Sequence, residues 1–242
     1  MNTKRNISAK KNKVTITAST LMRWAGLSTM ITGLCFLILG MFHPVNVLSS
    51  VTTATWVNVH IFATALGFFG LFSMAGLYAR QAEKTGWLGL AGFILFSAWM
   101  TLVSGFSFVE AFIFPRLAIE SPVYVEALLG MFSGIPSEIE LGVIPTLWNI
   151  SGPMYILGPL LFGIATFRAR VLPRWAGGLL ALGALLTPIG ALVPPELQPK
   201  IMVPIGLAFV WLGYALFVER RESTPETLLD QGTIKAELSK VA

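Results

Sequence analysis

The chain has little charge and almost none of the residue patterns on which soluble catalysis relies. Only 12% of its 242 residues are charged, and it contains two histidines and one cysteine. A soluble domain carries about 25% charged residues to cover its surface, so a soluble fold is excluded. Cys35 lies inside an apolar run and has no second cysteine to pair with, which rules out an intramolecular disulfide and leaves it as a small packing residue. There is no nucleophile elbow, no Walker loop, no dinucleotide fingerprint and no HExxH or CxxC metal motif. Soluble-type catalysis is therefore not expected, and no cofactor is assigned.

What the chain has is long hydrophobic runs. Its hydrophobic residues make up 55% of the total and gather at Leu21 to Phe42, Trp56 to Tyr78, Trp87 to Phe114, Val143 to Phe167, Trp175 to Val193 and Ile201 to Val218. About 20 apolar residues cross the hydrocarbon core as a helix. The runs are continuous rather than alternating, which excludes a β-barrel. The expected fold is all-α, a polytopic transmembrane bundle of six helices. Residues 1–20 form a basic cytoplasmic arm expected to be disordered, 21–218 the transmembrane domain with an external loop at 116–142, and 219–242 a cytoplasmic tail.

Orientation follows from the cations. With the N-terminus inside, 15 of the 17 Lys and Arg residues are cytoplasmic, and only Arg116 and Lys200 fall outside. An odd number of crossings would destroy this asymmetry, so both termini are placed in the cytoplasm. The net charge of +5 thus reports membrane topology, and nucleic acid is not an expected partner. Lys4, Arg5, Lys10, Lys11 and Lys13 carry no interleaved aromatic residue and suit anionic lipid, at about 1 kcal/mol per basic residue. A cleaved signal peptide fits poorly, because the first run starts past residue 20 and lacks a small-residue cleavage site.

A weak repeat is present. Arg23-Trp24-Ala25-Gly26, Gly86-Trp87-Leu88-Gly89 and Arg174-Trp175-Ala176-Gly177 open the first, third and fifth runs, suggesting three related helical hairpins. Small residues recur every seven positions within them: Gly26, Gly33 and Gly40; Ala91, Ala98 and Gly105; Gly177, Ala184 and Ala191. Such stripes predict close helix seams. Interfacial tryptophan is common enough to produce the same likeness by coincidence. In the external segment, Ser121-Pro122 predicts a helix start, with a short helix over Val123 to Phe132. This segment reads as a lid or docking surface, or as a plain acidic connection.

Polar residues in the apolar runs mark the places to look for function. His43, His60, Glu110 and Asn149 share an outer depth and form a candidate polar site. Pro153 and Pro159 are predicted to kink the fourth run, Pro153 freeing the Asn149 carbonyl. Broken helices present such carbonyls to ions or substrates in transporters, while a packing kink satisfied by neighbouring hydroxyls is the simpler outcome. His43 and His60 are the only candidate metal ligands besides Glu110, and their spacing matches no metal motif. Glu110 has a second reading as a headgroup-level partner of Arg116.

The run Arg23-Trp24-Ala25-Gly26, His43-Pro44, Trp56, His60, Gly76-Leu77-Tyr78-Ala79-Arg80, Glu110 and Phe114-Pro115 resembles uncharacterised bacterial six-helix integral membrane proteins. The resemblance covers mainly the first half and implies a bacterial cytoplasmic membrane, with no assigned activity. The leading expectation is a non-enzymatic multi-pass inner-membrane protein that binds lipid or a membrane-protein partner. The alternatives are a transporter-like protein with an outer-facing polar site and, behind it, a haem- or metal-binding membrane enzyme.

Overall fold

The computed structural model describes residues 16–219, so most of the basic arm and nearly all of the tail lie outside the described residues. It is 84% helix, and no strand occurs among the described residues. The helices are α1 (Ala18–Phe42), α2 (Leu48–Val51), α3 (Ala54–Phe112), α4 (Phe114–Glu120), α5 (Pro122–Phe132), α6 (Ile144–Ala169), α7 (Arg174–Leu186) and α8 (Val203–Val218). Two 3-10 segments, Thr187–Leu192 and Gln198–Met202, follow α7 and precede α8. Four helices are long and apolar enough to cross a membrane: α1, α3, α6 and the run Gln198–Val218.

Helix α1 begins at Ala18, ahead of the apolar run, because Thr17 caps it by accepting from the Thr20 N–H at 3.1 Å. Helix α3 holds two of the runs. Its 59 residues would extend about 88 Å if straight. Instead it doubles back at Gly86, where φ is 55° and ψ −154°, a region open essentially to glycine alone. The two limbs, 54–85 and 87–112, lie against each other: the Ser104 hydroxyl donates to the Thr64 carbonyl at 3.2 Å, and the Tyr78 and Phe93 rings stack at 4.8 Å.

Close backbone approach joins the remaining helices. Gly26 and Gly33 of α1 meet the backbone of α8 at Gly213 and Gly206, and a methyl group on any of these four glycines would fall within 3 Å of opposing backbone. Gly177 of α7 meets Gly163 of α6 in the same way. The middle stripe does not form the corresponding seam. Nothing lies within 4 Å of a methyl placed on Gly105, whereas Gly92, one residue after Ala91, packs on the Phe162 backbone. The contact face of that limb is instead set by Gly92, Phe96, Trp99 and Met100, which are all buried.

Large apolar side chains fill the middle of the bundle. Phe36, Leu66, Met74, Phe96, Met100, Phe162 and Phe209 are fully buried. Phe36 stacks on Trp99 at 6.1 Å, and Phe96 sits 5.5 Å from Trp99 and 5.8 Å from Phe209. Toward the end carrying the Gly86 reversal, Ser73 donates to Thr29 at 2.9 Å and Gln81 to Thr166 at 2.8 Å, while Arg80 makes a forked ion pair with Glu219. At the opposite end, α2, α4, α5 and residues 133–143 enclose a second, smaller core around Val51, Trp56, Phe114, Val125 and Leu128. The segment 116–142 therefore belongs to a packed cap. Its helix starts at Pro122, as the Ser121-Pro122 pair leads one to expect.

Alanine at two glycines should separate backbone geometry from space, since neither Cβ would meet a neighbour. Gly86→Ala should destabilise by about 1–3 kcal/mol through its backbone conformation. Gly105→Ala, in regular helix, should be neutral or stabilise by up to about 1 kcal/mol. Unfolding of both variants in mixed detergent micelles, followed by circular dichroism, measures the difference.

Candidate functional site

The doubled-back α3 brings its two ends together under the cap. Thr53 caps the start of the helix, its hydroxyl accepting from the Trp56 N–H at 3.2 Å. One turn later His60 stands on the same face as Trp56. The returning limb ends beside them: the indole Nε1–H of fully buried Trp56 donates to the Glu110 backbone carbonyl at 2.9 Å. This bond spans 54 residues of sequence and fixes the depth of Glu110 relative to His60. His43 enters from the C-terminal cap of α1.

Three aromatic rings result in one cluster. The Trp56 and His60 rings are 4.2 Å apart, those of His43 and His60 5.1 Å and those of His43 and Trp56 6.2 Å. His60 is 2% exposed and Glu110 9%. His60 Nε2 faces Glu110 Oε2 at 3.5 Å, slightly beyond a direct hydrogen bond.

Tautomers follow from the carbonyl partners. His60 Nδ1 lies 2.8 Å from the Trp56 carbonyl, and His43 Nδ1 lies 2.7 Å from the Pro44 carbonyl. A carbonyl only accepts, so Nδ1 carries the hydrogen in both rings. In a neutral His60 the Nε2 lone pair then points toward a carboxyl oxygen. A lone pair and a carboxylate facing each other out of water repel, and a single proton between them turns repulsion into attraction. Either the carboxyl keeps it, or the imidazole takes it and forms an ion pair whose cation lies against the Trp56 ring. The geometry of the pair suits one shared proton.

Of the residues singled out from the sequence, His43, His60 and Glu110 thus converge. Asn149 does not join them: it is exposed on α6, while its neighbour Trp148 packs on Phe106 and Phe132 at 5.8 and 4.6 Å. Adjacent helical positions diverge by about 100°, so the Trp148 contacts turn Asn149 away. Pro153 and Pro159 lie within α6, which stays helical from Ile144 to Ala169, and Ser151 donates to the Trp148 carbonyl at 2.7 Å. Arg116 pairs with Glu120, one turn on, at 2.7 Å rather than with Glu110. Among the described residues, no group of three or more His, Cys, Asp or Glu side chains is arranged to hold a metal ion.

Trp56 is the member that residue-type reasoning passed over, because an apolar residue at a membrane boundary signals only an interface. The clue was its position four residues before His60 and three after Thr53, a helix start that puts both rings on one face.

Trp56→Phe keeps most of the ring but removes the donor to Glu110. The variant should lose about 1–3 kcal/mol of stability, whereas Trp87→Phe, at a position 86% exposed, should stay within about 0.5 kcal/mol of the parent. Denaturation in mixed micelles compares the two.

The chain matches no protein-family model, no curated protein and no solved structure.

Proposed function

We propose that this chain is a transporter-like membrane protein of six crossings that binds and releases a proton at His43, His60 and Glu110 on its outer side. The observation that carries the reading is the facing pair of His60 Nε2 and Glu110 Oε2 at 3.5 Å, both buried beneath a packed cap. Ionisable groups removed from water in a membrane protein are expensive, and proton relays are a principal use for them. A purely structural lipid- or partner-binding protein has no need of such a pair, which places that reading second.

Six crossings are supported by geometry and charge together. The limbs 54–85 and 87–112 each exceed the length of about 20 residues that a span needs. Helix α7 has 13 residues and the following 3-10 segment six. At rises of about 1.5 and 2.0 Å these give roughly 32 Å, enough to cross the hydrocarbon. Arg23, Arg80, Lys84, Arg168, Arg170 and Arg174 then lie at one end and the cap at the other. The positive-inside rule assigns the first end to the cytoplasm. Residence in a bacterial cytoplasmic membrane belongs to the same proposal.

Topology is tested by cysteine accessibility, since the natural Cys35 is buried and single. In a Cys35→Ala background, Ser133→Cys in the cap should react with an impermeant maleimide on intact cells. Lys84→Cys should react only after permeabilisation. The reverse pattern would overturn the orientation.

Proton binding is tested without knowing a substrate. Proteoliposomes on a solid-supported membrane should give a transient charge displacement when the outer pH is stepped. Glu110→Gln should abolish it and Glu120→Gln should leave it intact. An unchanged transient in Glu110→Gln would remove Glu110 from the site.

A further inference from the structure

We infer that the turn between α6 and α7 is a binding site for the phosphate of an anionic phospholipid headgroup, held by Arg168, Arg170 and Arg174. Three guanidinium groups fall within seven residues, and the sequence has no Asp or Glu from residue 141 to residue 195. The ion pairs of the described residues are His60–Glu110, Arg80–Glu219 and Arg116–Glu120, so none of them neutralises this turn.

Arg174 is held in place by aromatic neighbours. The Arg174 guanidinium is held over the Phe167 ring at 4.3 Å and near the Trp175 ring at 5.3 Å. The two rings brace the guanidinium, whose paired N–H groups suit phosphate oxygens. Its Nε is buried and has no hydrogen-bond partner. Such a donor is costly to leave unmade. Arg174 is also the first residue of α7, whose cap residue Pro173 offers no side-chain acceptor and whose first turn has no acid.

Arg170 is the one non-glycine residue with positive φ among the described residues, at 56°, and it closes α6 in a left-handed conformation. Arg168 and Arg170 are both exposed, and both precede the start of α7 by a few residues. Trp175 is 64% exposed beside them, as suits a ring at headgroup depth. Phosphate accepts from exposed Arg168 and Arg170 and from the terminal nitrogens of half-buried Arg174, and the lipid tails lie along the apolar faces of α6 and α7. The inference needs the chain to be in a membrane and is independent of proton binding at the other end.

The test uses the full chain in detergent, with bound lipid counted by native mass spectrometry. Phosphatidylglycerol should bind at one saturable site and phosphatidylcholine should not. Arg168→Gln with Arg170→Gln should weaken phosphatidylglycerol binding by on the order of 30-fold. Arg174→Lys, which keeps the charge but loses the stacked fork, should weaken it as well. Lys10, Lys11 and Lys13 changed together to Gln should leave the tight site intact. Equal binding of the two lipids, or unaltered affinity in the Arg168/Arg170 variant, would overturn the inference. So would displacement of the lipid by millimolar inorganic phosphate, which would identify a free-phosphate site. The headgroup comparison on the parent chain does not depend on how any variant folds.

Discussion

The reversal at Gly86 and the Trp56–Glu110 hydrogen bond together set the register of one helical hairpin, and the His60–Glu110 pair exists only in that register. One turn of slip between the limbs would displace Glu110 by about 5.4 Å along the axis, out of reach of His60. The glycine makes the reversal possible without strain, the Ser104–Thr64 bond holds its middle, and the indole holds its far end. Side chains 50 residues apart in sequence thereby behave as neighbours, His60 supplying the nitrogen and Glu110 the carboxyl.

The rest of the bundle positions this hairpin by backbone proximity rather than by interlocking side chains. In lipid no hydrophobic driving force pulls one apolar helix onto another, and dispersion between closely approaching backbones takes its place. The α1–α8 seam, glycine facing glycine at Gly33 and Gly206 and again at Gly26 and Gly213, is the clearest case. It clamps α1 against α8, and His43 at the end of α1 is carried to the cluster by that placement.

Much of this was legible in the chain. Apolar run length gave helices and excluded strands, and the seven-residue glycine spacing of Gly26, Gly33 and Gly40 gave a real seam because a heptad keeps one face of a helix in contact. That His43, His60 and Glu110 fall at one end of the bundle followed from counting residues along their runs. What counting could not supply was rotation. Ala91, Ala98 and Gly105 have the same spacing as the first stripe, but the bulk of Phe96 and Trp99 turned the limb by one position and made Gly92 the contact. Asn149, expected to join the cluster, is turned away from it by the Trp148 contacts. The cap was hidden for another reason: its core is assembled from four short segments, none of which has enough periodicity to announce a buried face.

Between the outer cluster and the inner pairs Ser73–Thr29 and Gln81–Thr166 the first limb of α3 offers only Ala65 to Phe72, about 12 Å of apolar chain backed by Met74 and Met100. That layer is an electrical insulator. A charge finds no polar partner along such a stretch, so the layer keeps the polar groups at its two ends apart.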